Sequence, residues 1–156
     1  MKLARFALVA IVLLTSPAFA AEPLLGTWKL DRQEVNGQST NFEPLTLRIT
    51  PDGDKLAFAF SVPVNKINFV SMSYTVKLDG SPSDVKNANS DKVGTVEMTP
   101  SGASQYKVIL KGPNHPDSIG RIVVSPDGKI LTSETDTTQA GPNGRSVHSK
   151  QTFSRN

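Results

Sequence analysis

The 156 residues contain no cysteine. That excludes disulfide staples, thiolate nucleophiles and thiolate metal sites. Histidine is nearly absent too, with only His115 and His148. Neither has a second ligand at i+2 or i+4, so both read as solvent-facing polar residues and no metal is implied. Asp52 and Asp54 flank Gly53, but the EF-hand spacing and its distal Glu are missing. The chain has no Gly-x-Ser-x-Gly elbow, no phosphate-cradling loop and no dinucleotide fingerprint. No cofactor is implied. Aromatic residues are few: one Trp, two Tyr and seven Phe.

Long apolar runs are also scarce. The longest is Phe6 to Leu14, preceded by Lys2 and Arg5 and followed by Pro17 and Ala18-Phe19-Ala20. A basic start, a short apolar run and small residues at Ala18 and Ala20 form the pattern of a cleavable secretory signal peptide. The pattern predicts a leader over residues 1–20, cleaved before Ala21, and one mature domain over 21–156. Nine apolar residues are too few to span a bilayer, which needs roughly 20. No other stretch qualifies, so the mature chain is expected to have no transmembrane segment. Without Lys2 and Arg5 the 17 basic residues fall to 15, against 14 acidic ones, and the net charge falls from +3 to +1. A near-neutral surface with no basic run argues against nucleic acid as a partner. The expected location is the periplasm or the exterior of the cell.

What the chain does have is alternation, the period of a half-buried strand. Leu45, Leu47 and Ile49 alternate with polar residues, as do Leu56, Phe58, Phe60 and Val62. Val70, Met72, Tyr74, Val76 and Leu78 form a third series, and Tyr106, Val108 and Leu110 a fourth. Weaker Val/Ile/Thr-rich segments lie near 26–34, 92–99, 118–125, 129–136 and 145–153. About nine strands are expected. Pro51-Asp52-Gly53 and Pro126-Asp127-Gly128 are turn sequences between strand pairs. Gly141-Pro142-Asn143-Gly144 marks another. Loops this short force antiparallel neighbours. The polar stretch 79–91 reads as the longest loop, with room for one helical turn after Pro82. The fold class is all-β. An up-and-down barrel would remove the exposed edges of such a meander, and a β-sandwich would use the same alternating residues as an inter-sheet core.

Leu25-Gly26-Thr27-Trp28-Lys29-Leu30 opens the mature part. Gly-x-Trp on a first strand followed by a meander resembles the lipocalin and calycin pattern. The cadence of Tyr106-Lys107-Val108, Val124-Ser125-Pro126-Asp127-Gly128-Lys129 and Leu131-Thr132 is similar to small exported lipocalin-like domains of bacteria. The resemblance implies an antiparallel barrel of about eight or nine strands with an interior cavity for a small apolar or amphipathic molecule. It also implies that Gly26 and Trp28 close one barrel end and that an arginine of a late strand, Arg121 or Arg145, packs across the tryptophan. The candidate ligand-binding residues are Phe58, Phe60, Met72, Tyr74, Tyr106 and Val108.

Non-catalytic binding is therefore the leading expectation. One alternative is a periplasmic protein-interaction or envelope-associated module with a filled core. Another is a cofactor-free isomerase or cyclase, which would need Glu97, Glu134 or Arg121 to point into the barrel with shifted pKa values. Carboxylates on strands usually face water, as Glu97, Glu134 and Asp136 are expected to do.

Overall fold

A computed structural model describes residues 22–113, 115–138 and 145–156. The expected leader over 1–20 with Ala18 and Ala20, the expected cleavage before Ala21, and the turn at 141–144 lie outside the described residues. A short 3-10 helix, Glu22–Leu24, leads into β1 (Gly26–Val35) and the two-residue β2 (Gln38–Ser39). Then come β3 (Thr46–Asp52), β4 (Lys55–Val64), β5 (Ile67–Val76) and β6 (Ser83–Asn87). The chain continues through β7 (Lys92–Gly102), β8 (Gln105–Gly112), β9 (His115–Val124), β10 (Ile130–Thr138) and β11 (Ser146–Arg155).

Successive strands pair antiparallel from β3 to β11, β3 pairs β1, and β1 also pairs β11 from Trp28↔Arg155 to Val35↔Ser149. Ten strands thus close into one barrel, and β2 folds back along the upper end of β1. A sandwich would need two separate sheets, so the single closed sheet overturns that alternative. The barrel has more strands than the eight or nine expected. The addition is β6, inside the polar stretch read as a loop. Only Val85 of its five residues is buried, and one buried residue carries no period. Pairing to β5 and β7 makes it a strand.

A second departure concerns Val70. Phe60 pairs with Met72, but Ser61 pairs with Val70, so Ser71 is an extra residue in β5. The Ser71 hydroxyl donates to the Phe60 carbonyl at 3.2 Å. Such a bulge reverses the facing of every residue beyond it. Val70 therefore leaves the inward series of Met72, Tyr74 and Val76 and is exposed.

The barrel is plugged at the end where β1 begins. Trp28 is fully buried, and its indole Nε1 donates to the Leu24 carbonyl at 2.9 Å, so the 3-10 helix folds beneath the ring. Gly26 sits at φ 138°, a conformation open to few residues other than glycine. That bend turns the chain from helix to strand with Trp28 pointing inward. The cation over the ring is Arg155, with its guanidinium carbon 4.4 Å from the ring centroid and Nη2 donating to the Pro23 carbonyl at 2.8 Å. This corrects the expectation of Arg121 or Arg145. Arg121 is engaged by Glu134 on the outer wall, and Arg145 is exposed before β11. Arg155 sits one residue before the terminal Asn156, and no spacing rule singles it out. Above the plug, Leu30, Leu47, Ile49, Leu131 and Phe153 fill the lower barrel.

Candidate functional site

The inward positions of β1, β4, β5 and β8–β11 enclose a cavity of about 230 Å³ in the upper half of the barrel. Its walls differ. Phe60, Met72 and Tyr74 of β4 and β5, with Val108 and Leu110 of β8, form an apolar side. Phe58 lies behind them, stacked on Tyr74 with ring centroids 4.7 Å apart, and Phe60 is tilted against Tyr74 at 5.9 Å. The other side comes from β1, β10 and β11, where Gln33, Ser133, Thr135, Ser149 and Gln151 point inward. The Gln151 amide donates to the Gln33 side-chain oxygen at 3.4 Å. Ile122, Leu47, Leu131 and Phe153 make the floor.

Four of the six residues expected around a ligand, Phe60, Met72, Tyr74 and Val108, border this cavity. Phe58 and Tyr106 are buried in the core instead. The polar side escaped the sequence reading. Ser133, Thr135, Ser149 and Gln151 lie on strands whose inward and outward positions are both polar, so alternation carries no contrast there. The facing of Gln33 is set by an irregularity between Leu30 and Arg32, where Asp31 is the extra residue in the pairing with β11.

Charges stay outside. Val96 and Met98 are core residues, so Glu97 between them faces out and binds Lys111 at 2.8 Å. Ser133 and Thr135 face in, so Glu134 faces out. Arg121 and Glu134 also border the cavity, but their charged ends meet at 2.7 Å, and Lys150 joins at 3.3 Å. In register across five neighbouring strands stand Lys107, Arg121, Glu134, Lys150 and Glu34. This belt is mixed in sign, a solvated outer wall. Of the three groups the catalytic alternative required, Glu97 lies away from the cavity, and Arg121 and Glu134 border it with their charges paired with each other. His148 is also on the outer wall, with Nδ1 2.9 Å from Asp136. Among the described residues no three His, Cys, Asp or Glu side chains are grouped to hold a metal.

Two titratable groups bordering the cavity depart from ordinary behaviour. Burial pushes the Tyr74 phenol well up, so it stays a neutral hydroxyl. Hydrogen bonding to Arg121, aided by Lys150, holds the Glu134 carboxyl below its usual range against a smaller opposing effect of burial. A carboxylate with a lowered folded-state pKa stabilises the fold above its unfolded value of about 4.3 and loses that contribution as pH falls through the folded value. Glu134→Gln should therefore lower the unfolding free energy at pH 7 by about 0.5–1 kcal/mol, the scale of partly exposed pairs. Urea titrations should find the gap shrinking as pH falls below about 4.3, because residue 134 becomes neutral in both proteins. A gap that persists unchanged in acid would contradict the pairing.

The fold and site define a closed ten-stranded antiparallel barrel around a small, two-sided cavity. No family model matches this chain, and no curated protein matches it. Among solved structures, a deswapped triple mutant of bovine odorant binding protein is similar. It is 18% identical over 86% of this chain and 74% of that chain, with a TM-score of 0.41. At that similarity, barrel closure rests on the β1–β11 pairing of this chain itself. Among the described residues, no helix is long and apolar enough to cross a membrane.

Proposed function

We propose that this chain is an exported protein that holds a small, uncharged amphipathic molecule inside its barrel without chemical change. The observation that carries the reading is the division of the cavity. Apolar side chains of β4, β5 and β8 face hydroxyls and amides of β1, β10 and β11 across it. An apolar ligand body lies against Phe60, Met72 and Leu110. A ligand hydroxyl, carbonyl or amide exchanges hydrogen bonds with Gln33, Ser133 or Gln151, since buried polar groups need partners. Charged ligands fit poorly, because the ions bordering the cavity are already paired on the outer wall and an unpaired buried charge is costly. The Gly26-Thr27-Trp28 opening, similar to lipocalins, supports a carrier. The Lys2 to Ala20 leader pattern supports export.

Binding of 1-decanol, decanoate and decylamine at neutral pH, measured by displacement of a hydrophobic fluorescent probe, tests the proposal. The alcohol is expected to bind at least about tenfold tighter than either ion, a difference of about 1.4 kcal/mol. Equal affinity for all three, or none for any, would refute it.

A further inference from the structure

The β4–β5 hairpin reaches past the barrel that supports it. On its two flanks, β3 pairs with β4 only as far as Ser61, and β6 pairs with β5 only as far as Met72. Val62–Val64 and Ile67–Phe69 therefore pair with nothing but each other. The arm ends in Asn65 and Lys66, both with positive φ (50° and 67°), the backbone of a two-residue I′ turn.

The Ser71 bulge decides which way this arm faces. Val62 and Val64 continue the inward series of Phe58 and Phe60 along β4. Beyond the bulge, Phe69 stands opposite Val62 and Ile67 opposite Val64. Four apolar side chains thus prolong the Phe60–Met72 wall of the cavity beyond its rim. Three of them are poorly covered: Val64 is 49% exposed, Phe69 51% and Ile67 72%. The opposite face carries Ser61, Pro63, Asn68 and Val70, a mixed set.

Three observations select what covers the apolar face. The cavity, at about 230 Å³, lies below the roughly 300–1,000 Å³ of pockets that enclose drug-sized ligands. A longer ligand must protrude. The uncovered face is continuous with the apolar wall of that same cavity, on the same face of the same two strands. Finally, the mixed opposite face suits water, whereas a segment immersed in lipid would be apolar on both faces. We propose that the arm is the outer half of the ligand site. It receives the apolar tail of a neutral single-chain amphipath whose polar head lies against Gln33 and Gln151. This inference rests on the cavity reading above and extends it to a ligand class, longer than the cavity and linear.

The test is a series of 1-alkanols from hexanol to tetradecanol. Dissociation constants are measured calorimetrically for the wild type, for the double variant Ile67→Thr/Phe69→Thr, and for Val70→Thr on the opposite face. Wild-type affinity should rise about three- to fourfold per methylene through the whole series. The double variant should match it for hexanol, then flatten, and bind tetradecanol at least about tenfold more weakly. Val70→Thr should follow the wild type. Should the double variant misfold by circular dichroism, Phe69→Thr alone gives the same readout at smaller amplitude. A double variant that tracks the wild type at every length overturns the proposal. So does an equal loss at every length, or an equal loss in Val70→Thr. If sedimentation shows instead that the double variant abolishes self-association with alkanol binding intact, the arm is a contact between copies and the proposal falls. Failure of the wild type to bind any alkanol refutes the cavity reading, and the arm with it.

Discussion

Trp28→Ala should lower the unfolding free energy by about 3–5 kcal/mol, the usual cost of truncating a large buried aromatic residue. Small domains have only about 5–15 kcal/mol to lose. Trp28 is fully buried and closes the barrel against Leu24. Its removal leaves a hole, and the Leu24 carbonyl loses the indole donor that meets it at 2.9 Å. The 3-10 helix then has one fewer tie to β1. Arg155 loses the ring beneath its guanidinium, although its bond to the Pro23 carbonyl can persist. Urea unfolding followed by far-ultraviolet circular dichroism measures the effect, since Trp28 is the sole tryptophan and fluorescence disappears with it. Arg155→Ala should cost less, about 0.5–2 kcal/mol, the range of cation–π contacts. A loss below about 1 kcal/mol for Trp28→Ala would show that the ring does not hold the barrel end shut.

The second large effect concerns binding. Ser133→Trp should abolish probe and decanol binding, weakening it by at least about a hundredfold, or about 2.7 kcal/mol, while the barrel remains folded. Ser133 points into the cavity between Ile122 of β9 and Gln151 of β11. An indole there occupies much of a 230 Å³ space. Overpacking of this kind typically costs about 1–3 kcal/mol, less than the fold can bear, and the open upper end gives the ring room to adjust. Calorimetry reads the binding and a thermal melt reads the fold. A folded Ser133→Trp protein that still binds decanol at wild-type affinity would place the ligand elsewhere.

These two sites differ in how far the sequence revealed them. Trp28 was legible because Gly26-Thr27-Trp28 resembles the opening of a lipocalin barrel, in which a tryptophan plugs the closed end. Its arginine was not, because packing across a ring depends on how β1 and β11 meet in space. Asn156 N–H bonds the Thr27 carbonyl and Arg155 N–H the Lys129 carbonyl, and those contacts deliver Arg155. Along β4, β5 and β8 the contrast between Phe, Met, Tyr or Leu and small polar residues exposes the inward face directly. Along β10 and β11 polar residues occupy both faces, so only register shows that Ser133 and Gln151 turn in while Glu134 and Lys150 turn out. Val70 was misplaced for a further reason. The strict alternation from Val70 to Leu78 conceals one extra residue, Ser71, which becomes visible only when its partner strand skips it. That same residue gives the arm its apolar face.

The central claim is that the barrel interior receives a neutral amphipath between its apolar and polar sides. An isotope-filtered NOE spectrum of labelled protein with unlabelled 1-decanol tests it most directly. Cross-peaks are predicted from the chain methylenes to Phe60, Met72 and Leu110, and from the hydroxyl-bearing methylene to the side chains of Gln33 and Gln151. Cross-peaks confined to outer-wall apolar residues such as Ile119 and Ile130, with none from the cavity, would contradict the account.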